Sequence, residues 1–152
     1  MYPSRRELIV CSAVCAVVSA LPVAPASATP AMLEAAIREV VGESDLKKGK
    51  VTLDVPPLVE NGNAVPITII VDSPMSGTDY VKAIHVFNEK NPQPHVISIR
   101  LGPRAGKARV ATRIKLADAQ RVVGVAEMND GSFWTGEANV VVTIAACVED
   151  VN

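Results

Sequence analysis

The sequence predicts an all-β domain: an antiparallel sandwich of two sheets and about seven strands, preceded by one short N-terminal helix. Three observations predict it. Hydrophobic residues make up 49% of the chain but aromatics only 3%, so the core must be built from Val, Ile, Leu and Ala. Branched Val and Ile pack well on a pleated surface. Beyond residue 44 the apolar residues recur mostly at period two, the spacing of a strand with one buried face. Eleven prolines and nine glycines are spread along the chain and break it into short pieces. At 152 residues the chain is long enough for one domain with its own core.

Residues 1–28 read as a secretory signal peptide. Arg5 and Arg6 precede an apolar run, residues 8–23, which is shorter than the roughly 20 residues of a bilayer span. Ala26-Ser27-Ala28 is a small-x-small cleavage site. Ser4-Arg5-Arg6-Glu7-Leu8 resembles a twin-arginine signal. Cys11 and Cys15 leave with this segment, so Cys147 is the sole cysteine of the exported chain. The exported chain carries 13 basic and 15 acidic residues and has no remaining membrane segment. In an oxidising compartment a lone thiol is buried and inert, joined to another molecule, or functional.

Residues 29–43 predict the helix. Thr29 can cap it and Pro30 fits its first turn. Leu33, Ala36, Ile37, Val40 and Val41 recur at helical spacing, Glu34, Arg38 and Glu39 lie opposite, and Gly42 supplies the stop. Its expected role is packing against a sheet edge. Strands are predicted at 50–54, 65–71, 80–87, 96–101, 107–116, 121–128 and 140–146, with 132–135 completing a hairpin across Asn129-Asp130-Gly131. Alternation in 80–87 places Val81, Ala83, His85 and Phe87 on one face and Lys82, Ile84 and Val86 on the other. This spacing suits an immunoglobulin-like sandwich over residues 44–146, followed by a C-terminal arm, 147–152.

Little chemistry is visible inside that domain. It has no glycine-rich phosphate loop and no Cys-x-x-Cys. A net charge of −1 gives no sign of a nucleic-acid partner. His85 and His95 are the only histidines and can face each other across neighbouring strands, but two ligands make an incomplete metal site. No metal or cofactor is expected. Phe133-Trp134 reads as core or as an interface anchor. Arg100, Arg104, Lys107, Arg109, Arg113 and Lys115 cluster across two strands and their turn. The simpler reading is a solvated sheet face; the sharper one is a docking patch for an acidic partner. Cys147 lies five residues from the end of the sequence, in a polar stretch, which favours an accessible thiol over a buried one.

Three stretches carry a family resemblance. They are Pro57-Leu-Val-Glu-Asn-Gly-Asn-Ala-Val-Pro-Ile-Thr-Ile69, Ala83-Ile-His-Val-Phe87 and Val140-Val-Val-Thr-Ile-Ala-Ala-Cys147. With the export signal and the tail cysteine, the chain resembles the SoxY family, the sulfur-carrier subunit of the periplasmic thiosulfate-oxidising system. The resemblance implies a periplasmic carrier that is not itself an enzyme. It implies a covalent sulfur intermediate on Cys147, a SoxZ-like β-sandwich partner subunit, and separate sulfur-oxidation enzymes that act on the cargo.

The arm departs from the family pattern. Gly-Gly-Cys-Gly-Gly is replaced by Ala145-Ala146-Cys147-Val148-Glu149. Ala and Val narrow the backbone freedom that glycine gives. Glu149, Asp150 and the terminal carboxylate place negative charge near the sulfur, which disfavours the thiolate and repels an incoming anion. The alternative function is therefore a non-catalytic binding module that has lost carrier chemistry.

Overall fold

The computed structural model describes residues 29–144. The expected signal segment, 1–28, and the arm residues Ala145, Ala146, Cys147, Val148 and Glu149 lie outside the described residues.

Helix α1 (Pro30–Val41) begins where the cap signal placed it. The Met32 N–H donates to Thr29 O at 2.9 Å and to Thr29 Oγ1 at 3.4 Å, and Pro30 occupies the first turn. Gly42 closes the helix at φ 63°, with its N–H donating to Arg38 O. Few residues other than glycine adopt this conformation cheaply.

Nine strands follow among the described residues: β1 (Leu46–Lys48), β2 (Val51–Asp54), β3 (Leu58–Asn61), β4 (Val65–Val71), β5 (Val81–Asn88), β6 (His95–Arg100), β7 (Arg109–Ile114), β8 (Gln120–Met128) and β9 (Phe133–Ile144). The larger sheet has the order β1-β9-β8-β5-β6, with β3 also beside β9; the smaller is β2-β4-β7. The expected sandwich is present, with two additions. The short strands β1 and β3 lie along β9 and run parallel to it. Residues 132–135 and 140–146 also do not form separate pieces, because β9 continues from Phe133 to Ile144.

Between the sheets lies an aliphatic core. Ile67 and Ile69 of β4, Ile84 and Val86 of β5, Val122 of β8 and Val140 of β9 are all buried there. One residue of β5 departs from simple alternation. Lys82 is the extra residue of a bulge against β8, since Val81 pairs with Met128 and Ala83 with Glu127. The bulge turns Val81 inward beside Ile84. His85 and Phe87 keep their expected common face, on the outer side of the large sheet.

Helix α1 covers that outer side rather than a sheet edge. Leu33, Ile37 and Val41 pack on Phe87, Val123, Val125 and Phe133. These four residues present an apolar patch on the sheet's outer face, and an amphipathic helix is the nearest element that can cover it. Arg121 stands beside the helix among Glu34, Glu89 and Glu137, with N–O distances of 3.8, 3.6 and 3.3 Å. Leu33 is fully buried. Leu33→Ala is expected to lower unfolding free energy by about 2–5 kcal/mol, measured by chemical denaturation. A change below about 0.5 kcal/mol, the level of a surface substitution, would mean that the helix is not part of the cooperative unit.

Candidate functional site

The site is built at the end of β9, from which the chain continues toward Cys147. Val140 is the last fully buried residue of the strand, at 1% exposure. Beyond it β9 leaves β8, whose pairing ends at Gln120–Val140, and is held by β3 alone. Leu58 pairs with Val141, Val59 with Val142 and Asn61 with Ile144. The Val141 N–H donates to Pro57 O at 2.9 Å, and Thr143 Oγ1 donates toward Glu60 O at 3.2 Å.

The turn after β3 is itself fixed. Asn61 Oδ1 accepts from the Asn63 backbone N–H at 2.9 Å and from Asn63 Nδ2 at 3.0 Å, which shapes a single 3-10 turn, Gly62–Ala64. Gly62 O accepts from the Leu116 N–H at 2.8 Å. The stretch from Pro57 to Ile69 therefore splints the end of β9. Two of the sequence stretches that carried the resemblance are physical neighbours.

This rim is apolar and open to solvent. Leu58, Val141 and Ile144 are 61%, 53% and 66% exposed. Leu58 and Val141 lie side by side on the outer face, while Val59 and Val142 turn inward. Exposed large apolar side chains that cluster are a mark of contact surfaces, whereas single ones are ordinary. The period-two pattern gave no hint of β3, so this rim was not legible in the sequence.

The other expected residues are distributed as follows. Phe133 lies under α1, while Trp134 faces the opposite side of the sheet. Lys47 and Lys50 place their ammonium groups 5.6 and 5.0 Å from the Trp134 ring centre, and its indole N–H donates to Ser132 Oγ. This is a packing role. The basic cluster divides. Arg109 and Arg113 share the exposed side of β7, an edge strand, with Lys107 and Lys115 at its ends. Arg104 sits in the preceding turn and Arg100 on the other sheet. None of the six forms an ion pair among the described residues. Charges along an open edge discourage unwanted strand addition.

His85 and His95 do come together. Their ring centres are 6.0 Å apart, and both reach Ser98, which sequence reasoning did not single out: His85 Nδ1 lies 2.7 Å and His95 Nε2 2.8 Å from Ser98 Oγ. Burial, then the neighbouring His95, then Arg100 lower the His85 pKa from its ordinary 6.5, while Glu127 opposes them. Among the described residues no three His, Cys, Asp or Glu side chains gather at one point.

Comparison with known proteins decides the family. The family model described as "Sulfur oxidation protein SoxY" matches residues 37–147. The chain belongs to the SoxY family. The structure of the sulfur carrier protein SoxY from Chlorobium limicola f thiosulfatophilum is similar at 27% identity and a TM-score of 0.64, covering 76% of this chain and 100% of that one. Superoxide reductases share the fold. One from Ignicoccus hospitalis matches at 16% identity and a TM-score of 0.54, covering 76% of this chain and 94% of its own. Another from Nanoarchaeum equitans matches at 14% and 0.53, covering 63% and 100%. At such identities the likeness is one of fold alone. No curated protein sequence matches this chain. SoxY membership gives the chain a sulfur-carrier role in sulfur oxidation, and SoxY proteins work in Sox systems with a SoxZ partner.

Proposed function

We propose that this SoxY-family chain is exported to the periplasm and carries a covalent sulfur intermediate on Cys147, which it presents to separate sulfur-oxidation enzymes. Residues 1–28 act as the signal, 44–146 as the sandwich, and 147–152 as the arm. A SoxZ-like sandwich is the partner subunit. The chain supplies a thiol and reach, and the partner enzymes supply catalysis.

One observation carries the reading. Among the described residues β9 is held by β3 as far as Ile144, three residues before the only cysteine of the exported chain. At most ~3.6 Å per residue, the Cys147 Cα can lie no more than about 11 Å from the Ile144 Cα. Delivery of a bound group into another protein's pocket requires a thiol close to a firmly held strand. The exposed Leu58 and Val141 offer that other protein an apolar contact at the base of the arm.

Joining two reduced sulfurs removes two electrons and releases the thiol proton, so loading needs an oxidising partner enzyme. Glu149 and Asp150 sit two and three residues past the sulfur and favour the neutral thiol in the free carrier. The thiolate is then expected to form within the partner's pocket, and a less highly charged sulfur compound is favoured over thiosulfate as cargo.

The test is the intact mass of the protein isolated from its own periplasm, with and without reductant. A sulfur-containing adduct that maps to Cys147 and is removed by reductant is the expected result. A protein that remains unmodified after incubation with its partner enzymes, or that forms only a disulfide-linked dimer, would favour the binding-module reading instead.

A further inference from the structure

The cluster of His85, Ser98 and His95 lies on the outer face of β5 and β6, apart from the β9 rim and unused by the carrier reading. Its geometry depends on a bulge. Val86 pairs with Ile97 and Phe87 pairs with His95, so Val96 is an extra residue in β6. Val96 packs toward the inter-sheet core. With unbroken alternation His95 would share the inward side of Ile97 and Ile99. The bulge turns it outward, where its ring stacks on Phe87 with centres 4.8 Å apart. Bulges commonly re-aim a side chain in this way near functional sites.

The re-aimed ring points a nitrogen at the place His85 already points to. His85 Nδ1 and His95 Nε2 both end within 2.8 Å of Ser98 Oγ. A hydroxyl has one proton, so it cannot donate to both rings; at least one nitrogen must bring its own hydrogen or leave a lone pair free. His95 and Ser98 are exposed, which opens this point to solvent. Phe87 supports it from below.

We propose that His85 and His95 form a two-imidazole site for a late first-row divalent transition-metal ion, with zinc, nickel and copper as its class. Neutral imidazole suits these ions, and hard cations such as magnesium prefer oxygen. A zinc ion takes imidazole nitrogen at about 2.0–2.1 Å. It would therefore take the point between the rings that Ser98 Oγ now occupies, with the exposed Ser98 side chain rotated away about its Cα–Cβ bond and water completing the shell. Glu127 lies on the same outer face, where it is paired with Lys82, and Arg100 stands nearby. With two protein ligands rather than three or four, the site is exchangeable rather than structural.

The experiment uses the exported chain, 29–152, without an affinity tag and with Cys147→Ser, so that no thiol competes for metal. Zinc is titrated against a chromophoric chelator, and the histidine ring nitrogens are followed by NMR. The expected result is one zinc per chain, shifts at both rings, no competition by excess magnesium, and affinity weakened by about fivefold or more in His95→Ala. His95 is exposed, so this variant keeps the fold; His85→Gln, with its fold checked by circular dichroism, is expected to weaken binding likewise. Absence of saturable zinc binding, or a smaller change in His95→Ala, overturns the proposal. Neither result bears on adducts at Cys147, so the carrier reading stands or falls separately.

Discussion

Cys147→Ser is expected to abolish loading altogether while leaving the sandwich as stable as before. Serine keeps the shape of the side chain but cannot form a sulfur–sulfur bond. With the proposed signal segment removed, the chain holds no second cysteine to take over. The fold should not respond, because among the described residues of β9 the side chains after Val140 are no longer buried, and serine differs from cysteine by a single atom. Incubation with partner enzymes and a sulfur donor, read by intact mass, is expected to show an adduct on the parent chain and none on the variant. Chemical denaturation should place the two within about 0.5 kcal/mol, the range of substitutions away from the core. An adduct on the serine variant would refute Cys147 as the carrying residue. A large loss of stability would instead show the cysteine to be packed.

Gly136→Ala is expected to be among the most damaging single substitutions in the domain. Gly136 stands in the middle of β9, facing inward, with its backbone against β2 of the opposite sheet. A Cβ built there would lie 2.1 Å from Val51 O and 2.9 Å from Val51 C. Both are backbone atoms, so no side-chain rotation relieves the clash; β2 must move away from the sandwich. The expected cost is about 3 kcal/mol, at or beyond the upper end of overpacking penalties, measured by chemical denaturation. Gly124, its partner across β8 and β9, supplies the control. An added Cβ there meets Leu53 Cδ2 at 2.8 Å and Val51 Cγ1 at 3.2 Å. Those are side-chain atoms, and the end of Leu53 can turn aside. Gly124→Ala should therefore cost clearly less. Equal costs at the two positions would show that the sheets are not held at the separation seen here.

Local chemistry made several elements legible in the sequence. Thr29, Pro30 and Gly42 bound α1 because capping and positive φ are satisfied within a few residues of chain. The hairpin between β8 and β9 is set by Asp130, whose carboxylate accepts from the Ser132 N–H, and by Gly131 at φ 82°. Strands such as β4, with its alternating burial, follow from period two alone. The family, too, could be read from three stretches of residues. These features rest on neighbours in sequence, and a sequence displays such neighbours directly.

Other features were decided only by the tertiary structure. Strands β1 and β3 have three and four residues, too few for a period to emerge, and they exist because β9 offers each a free edge. The rim at the base of the arm exists for the same reason. Helix α1 lies on a sheet face rather than an edge because Phe87, Val123, Val125 and Phe133, from three different strands, make one apolar patch. The bulges at Lys82 and Val96 turn Val81 inward and His95 outward, and alternation read from sequence must miss both, since a bulge is a mismatch between two strands. Gly136 is required by the approach of Val51 from the other sheet. The sequence by itself determined the helix and the longer strands. Contacts between distant segments decided where the arm is rooted and which side chains meet, because pairing, register and packing are properties of two segments at once.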